Sequence, residues 1–450
     1  MGASTDAIPE PRLCELHSHL YGCLKPEDLE FLARRRPPRR EIFLDSYRRN
    51  HGVEPPEYST LFAGTPESRS LLERYYYFLE PAEFRFFQTC FDLIISVAHT
   101  DPEELALVSR RVAAAEDADY AEYRVLFPPR DSPALFGEKV HAICEGLRDA
   151  ERDTGRTLRL VPSLWREQSQ CDASYDQLRS LMHAQDIVRN YTVGVDFCHV
   201  EEGHPPAAKR EFFARVLADN RADPGRALAI LYHVGESFED KSVESAARWV
   251  LEAAQAGAHR LGHAIALGVN PDLFQGPERG VRREVVSERL DQIAFELQHR
   301  DSLRDAGYAM DVDALMGEAK SLAALAEPES HSVAIEYDEA RRENLRIFQD
   351  WAMQGVRETG AVVESCPSSN LRIARLEDHA NHPLARFLAA DLPVVIGADD
   401  PGILKTGLQA ELDLVADWPG VGKSAVETML VTARRSRSDR LAGRQPCLYG

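Results

Sequence analysis

Along the chain, short apolar runs recur between longer stretches in which apolar residues return every three or four positions. The runs are RLCELH (12–17), YAEYRVLF (120–127), TLRLVPSLW (157–165), YTVGVDFCHV (191–200), ALAILYHVGE (227–236), HRLGHAIAL (259–267), AVVESC (361–366) and LPVVIGAD (392–399). Their length, and the β-branched residues in several of them, predict strands. Stretches such as DPEELALVSRRVAAAEDA and SVESAARWVLEAAQAG predict helices with one face against a sheet. Eight strands alternating with helices predict an α/β fold. The count of eight, with no GxGxxG opening a helix, favours a closed (β/α)8 TIM-type barrel over an open doubly wound sheet.

Two connections exceed what a minimal barrel needs, so we expect one barrel over 1–450 with helical insertions at about 24–110 and 270–358. The first carries the aromatic cluster YYYFLEPAEFRFFQTCF at 75–91, expected to serve the core more than to cover a substrate. The second is charged and periodic, and its clearest piece, VRREVVSERLDQIAFELQHR, reads as helix. It is expected to cover the barrel mouth or to meet another subunit, a homo-oligomer being the partner this allows; a solvated ornament is the alternative.

Composition narrows the partners. No stretch approaches the roughly 20 apolar residues of a membrane span, so no membrane partner is expected. The net charge of −20 repels a phosphate backbone, so no nucleic-acid partner is expected either. The basic stretch RRRPPRR (34–40) reads as a solvated helix end running into a turn. Eight cysteines, at 14, 23, 90, 144, 171, 198, 366 and 447, form no CxxC pair, which fits a reducing compartment better than a disulfide framework or zinc ribbon. The opening MGASTDAIPEP lacks the pattern of a secretory signal, and a cytoplasmic location is the expectation.

The chemistry starts at LCELHSHLYGCL (13–24). Side chains alternate faces along a strand, so His17 and His19 project to the same side and can converge on a metal ion. Barrel enzymes carry their reactive groups at the C-terminal ends of strands. The fifth run ends with His233 and Glu236, the sixth holds His263, and the eighth leads into Asp399 and Asp400. Imidazoles and carboxylates gathered at one mouth are the ligand types of zinc.

Taken in order, HSHL, YHVGES, HRLGHA, SCPSSN and GADDP resemble the HxHL, HxGE, RIGHG, CPxSN and DDP motifs of the adenosine deaminase branch of the metal-dependent amidohydrolases. YAEYRVLFPP (120–129) and the HP dipeptide at 382–383 extend the resemblance over almost the whole barrel. It implies one Zn²⁺ per chain held by His17, His19, His233 and Asp399, and hydrolytic deamination of a small-molecule 6-aminopurine. Glu236 would deliver a proton to purine N1. His263 would orient the water, accept its proton and stabilise the developing oxyanion. Asp400 would hydrogen-bond the substrate at N7.

Two positions depart from the family. Tyr21 stands where adenosine-specific relatives have an aspartate that contacts ribose. His199 stands where a glycine lets the backbone approach the purine. Both are candidate substrate-binding residues, and they leave open adenosine, an N-substituted adenine or another aminated heterocycle. A binuclear amidohydrolase would need a bridging lysine at strand four, and TVGVDFCHV has none. A scaffold that has lost activity is the reading from outside enzymology, opposed by the complete ligand set.

Overall fold

The structure, a computed structural model, describes residues 11–445. Cys447 and the opening residues 1–10 lie outside the described residues. Ten strands occur among the described residues: β1 (Cys14–His19), β2 (Tyr120–Leu126), β3 (Thr157–Ser163), β4 (Gly194–Val195), β5 (Ala229–Val234), β6 (Arg260–His263), β7 (Val281–Val285), β8 (Ser332–Glu336), β9 (Val362–Ser365) and β10 (Val394–Ile396). All eight strands expected from the apolar runs are present.

β1 pairs with β2 and β2 with β3, while β4, β5, β6, β9 and β10 form a second parallel set. Backbone hydrogen bonds join the two sets into a ring. At one seam Val193 donates to Leu160 and Leu164 to Asp196; at the other His19 donates to Asp399 (2.9 Å) and Asp399 to His17 (2.8 Å). The result is a (β/α)8 barrel, with helices such as Pro133–Thr154 and Val243–Ala256 packed outside.

The barrel interior holds charge where apolar layers are usual. Glu122, Arg124, Arg260 and Glu364 are fully buried, and Arg260 pairs with Glu122 and Glu364 at 2.6 Å each. Buried ions persist only when paired, so each of these charges has its partner on another strand.

Between β1 and β2 the chain forms six helices, from Pro26–Arg35 to Pro102–Ala114. In the aromatic cluster, Tyr76, Phe78 and Phe87 are buried in the main core, as expected. RRRPPRR closes helix Pro26–Arg35 with Arg34 and Arg35 exposed. Between β6 and β9 the structure corrects one detail. VRREV, expected to open a helix, is β7, paired antiparallel with β8, and the helix begins at Val286. The five residues alternate in side-chain direction, and a cross-strand partner far along the chain, Ala334 for Arg283, decides their conformation over any local preference. No described helix is long and apolar enough to cross a membrane.

Candidate metal centre and active site

β1 carries His17 and His19 to the C-terminal mouth, and β10 leads directly to Asp399. The imidazoles of His17, His19 and His233 gather close enough for one ion, as do His17, His263 and Asp399. His17 Nδ1 lies 2.8 Å from Glu364 Oε2, and His233 Nδ1 lies 3.0 Å from Asp196 Oδ1. A carboxylate behind Nδ1 holds the proton there and turns the Nε2 lone pair towards the mouth, the arrangement of a metal-binding histidine. Asp399 Oδ1 sits 3.3 Å from His19 Nε2 and 3.6 Å from His17 Nε2. The edge of a tetrahedron with bonds of about 2.0–2.1 Å is roughly 3.3–3.4 Å, so these separations suit zinc-like coordination.

Electrostatics agree with that fit. Burial lowers His17, helped by the positive Arg124, and burial likewise lowers His233, so both rings are neutral ligand forms. Burial would raise Asp399, but the hydrogen bond from His19 and the positive charge of that ring hold it well below the usual carboxylate range. Burial would lower His19, and Asp399 beside it raises it instead; a dication held between the two would displace that proton. Arg124 Nη1 approaches His17 Nε2 at 3.2 Å and His233 Nε2 at 3.5 Å. Glu364 and Asp196 flank this guanidinium and offset its charge.

The backbone is strained at the same place. His263, Ala264 and Asp399 have φ of 62°, 51° and 62°, left-handed values that non-glycine residues rarely take. Two glycines make close approach feasible. A Cβ on Gly22 would fall 1.6 Å from Asp400 Oδ1, and one on Gly397 would fall 2.6 Å from His17 Cβ.

Glu236 faces this centre from the loop after β5, its Oε2 3.5 Å from His263 Nε2. Burial, with the negative Asp399 and Glu201 nearby, pushes its carboxyl well above the usual range. Burial and Asp399 likewise push Asp400 up to about 7. The loop is pinned by Glu201, whose carboxylate accepts the N–H groups of Gly235 (2.8 Å), Glu236 (2.9 Å) and Ser237 (3.1 Å).

A cavity of about 490 Å³ opens over these groups, lined by every expected site residue except His17, which lies fully buried behind them. Phe84, Phe87, Phe91, Phe127 and Trp165 supply apolar walls. No lining residue comes from 270–358, so the second insertion does not cover this mouth. The Tyr21 ring lines the cavity, but its hydroxyl donates to Glu104 at 3.0 Å. His199 packs against Trp165, ring centroids 4.4 Å apart.

Sequence reasoning missed Glu364, Asp196 and Arg124 behind the candidate ligands. A signal existed: each is a charge inside an otherwise apolar strand run. Glu201 and Glu104 gave none, since acidic residues in loops and first helical turns are ordinary.

A family model described as adenosine deaminase matches residues 330–438. An adenine deaminase of Agrobacterium fabrum is 33% identical over 149 residues, covering 32% of this chain and 43% of that protein. An aminodeoxyfutalosine deaminase of Acidothermus cellulolyticus is 44% identical over 61 residues, 14% of this chain and 17% of that protein. The chain thus spans under half the length of the curated relatives it matches. Among solved structures, an adenine deaminase from Arthrobacter aurescens superposes with a TM-score of 0.56 at 19% identity, over 95% of this chain and 94% of that one. The N6-mAMP deaminase of Arabidopsis gives 0.52 at 18%, over 95% and 94%. These two superpositions show the shared fold. With the motifs in order at the strand ends and the matching sequences, the chain is similar to the adenosine deaminase branch of the metal-dependent amidohydrolases.

Proposed function

We propose that the protein is a zinc-dependent aminohydrolase that deaminates a 6-aminopurine nucleoside, adenosine or a related aminopurine, and releases ammonia. The observation that supports this reading is the convergence of His17, His19, His233 and Asp399 on one aromatic-walled cavity beside Glu236, whose carboxyl is pushed up by burial. The donor set would hold one zinc ion, which when bound supplies the Lewis acidity that makes water a nucleophile near neutral pH.

The chain's own groups account for the remaining chemistry. Water adds its oxygen to C6 only if N1 takes up a proton as the ring loses aromaticity. Glu236, kept protonated by burial, delivers that proton. Asp400 in its protonated form donates to N7, an acceptor that also marks the purine. The Glu236 carboxylate takes the proton the adding water releases and passes it to the amine; the C6–amine bond then breaks, ammonia leaves, and the proton of the C6 hydroxyl returns to Glu236 as the carbonyl forms. The adenine and adenosine deaminases among the relatives share this aminopurine and differ at the sugar. A cytoplasmic setting fits the seven described cysteines, all of them free.

One observation favours a substituted aminopurine over adenosine itself. The Tyr21 hydroxyl is committed to Glu104 and does not offer the ribose contact of an acidic residue, while His199, packed on Trp165, offers only ring nitrogens there. The test is ammonia release from adenosine, deoxyadenosine, adenine, adenine nucleotides and N-substituted purines, with elemental analysis of the same sample. One metal per chain and turnover of at least one compound are expected. Glu236→Gln should keep the metal and lose about 100- to 10,000-fold in kcat. A metal-loaded protein inert on the whole panel, or two metals per active chain, overturns the reading.

A further inference from the structure

We propose that Asn370 and His382 are positioning residues that fix neutral His263 with its proton on Nε2, so that His263 donates a hydrogen bond into the cavity and does not accept a proton there. Backbone N–H groups, whose donor role is unambiguous, anchor the argument at two points. Leu384 N–H donates to His382 Nδ1 at 3.1 Å. The neutral His382 ring therefore carries its proton on Nε2, which lies 3.2 Å from Asn370 Oδ1. Cys366 N–H points at the same Asn370 atom, also at 3.2 Å.

An atom facing two donors must be the amide oxygen, which sets the orientation of the Asn370 side chain. Its nitrogen then faces His263 Nδ1 at 3.0 Å. An amide nitrogen only donates, so His263 Nδ1 must accept. The single proton of the neutral ring is left on Nε2, the atom facing Glu236. Asn370, His382 and His263 are all buried, which excludes water as an alternative partner for Nδ1.

The neighbouring histidines are wired in the opposite sense. His17 and His233 have carboxylates behind Nδ1, which keep the proton there and leave Nε2 bare. One barrel thus prepares two kinds of imidazole within about 5 Å, ring centroids 4.8 Å apart for His17 and His263. Bare Nε2 atoms suit a cation; a protonated Nε2 suits an anionic oxygen developing at the reacting carbon. Of the roles the resemblance implied for His263, stabilising the oxyanion fits this wiring and taking a proton at Nε2 does not.

The catalytic consequence rests on the proposed aminohydrolase function, whereas the tautomer does not. The test uses full-length, metal-loaded protein labelled with ¹⁵N-histidine, with His263 assigned by the signals lost in His263→Gln. Long-range ¹H–¹⁵N correlation should show a bare Nδ1 and a protonated Nε2. Asn370→Asp places an acceptor behind Nδ1 and should move the proton to Nδ1, lowering kcat about 100- to 1,000-fold with KM little changed, the cost of one lost donor to developing charge. His382→Ala should weaken the tautomer preference, and His382→Gln, which keeps an N–H for the amide oxygen, should restore it. A wild-type His263 protonated on Nδ1, an Asn370→Asp protein with the tautomer unchanged, or an inverted tautomer with unchanged kcat overturns the proposal. If Asn370→Asp does not fold, the wild-type spectrum and the His382 pair decide. Failure of every purine in the panel would defeat the aminohydrolase reading while these spectra still judged the wiring.

Discussion

Between β1 and β2 the chain runs through helices whose Leu29, Phe43, Leu72, Tyr76 and Ile94 merge with the main core. Between β6 and β9 it builds one small core of its own, Val286 with Ile293 and Leu322, shares a second with the barrel, where Phe274, Ile335, Tyr337 and Leu345 join Val243 and Ala246, and sends Phe295, Leu303 and Phe348 into the main core. This second excursion also meets the barrel through a polar seam on helix Val243–Ala256. Glu284 accepts from Ser242 and Ser245, Trp249 Nε1 donates to Glu288 at 2.8 Å, and Arg248 pairs with Glu288 and Glu252. The first excursion also supplies Phe84, Phe87, Phe91 and Ile95 to the cavity, and the second supplies nothing to it. The shape of the cavity is therefore built into the same apolar packing that holds the first excursion in place, whereas no side chain of 270–358 reaches it.

A matched pair of substitutions should separate the two regions most widely. Phe87→Ala removes a buried ring that serves core and cavity together, so it should cost about 3–5 kcal/mol of stability and change KM as well. Arg248→Ala leaves Glu288 and Glu252 without their buried partner, a loss of about 3–5 kcal/mol, towards the lower end because Glu288 can take up a proton. It should leave KM where it was. Urea melts and steady-state kinetics on both variants check this. A KM shift in Arg248→Ala as large as that in Phe87→Ala would mean the seam communicates with the cavity.

The same contrast explains what was legible in the sequence. All eight barrel strands could be read because each is a short apolar run, and their ends named the residues that the structure gathers. The carboxylates behind His17 and His233 could not be assigned, because pairing β9 with β10, whose end meets β1, and β4 with β5 is needed to bring Glu364 and Asp196 beside them. β7 was hidden for a related reason: its partner β8 lies across a long helical stretch, and nothing local in VRREV announces it. The cavity role of Phe84 and Phe91 also depends on how separate helices close over the barrel, which spacing along the chain does not encode.

A change of pH should act on the seam and spare the first excursion. Burial pushes Glu288 up to about 7 from an ordinary 4.5, with Glu284 adding to it and Arg248 and Lys241 opposing. A carboxyl raised on folding favours the protonated native state, so its stability contribution is complete below pH 4.5 and is lost as pH rises through 7. Between pH 5 and 7 that loss is about 2 kcal/mol. Amide hydrogen exchange, corrected for its intrinsic pH dependence, should show residues 286–298 losing protection over that range while residues 84–97 hold theirs. Glu288→Gln should flatten the response. Greater protection of 286–298 at the higher pH would give the seam the opposite sign and remove Glu288 as its cause.

The smallest expected effect lies where the first excursion touches the substrate position that departs from the family. Tyr21 presents its ring to the cavity and its hydroxyl to Glu104, which also accepts the N–H groups of His99 (2.8 Å) and Thr100 (2.9 Å). Tyr21→Phe removes one donor and leaves Glu104 with two, so the stability cost should be about 1 kcal/mol. No polar group is lost from the cavity, and the ratio of kcat/KM between adenosine and the preferred aminopurine should move by no more than about 2-fold. Tyr21→Asp is the harsher change, because it would set a second carboxylate against Glu104, and it should destabilise the protein before it creates any ribose contact. A shift of about 10-fold or more in that ratio for Tyr21→Phe would mean that the hydroxyl leaves Glu104 for the bound substrate. The first excursion would then recognise its ligand through a hydrogen bond as well as through shape.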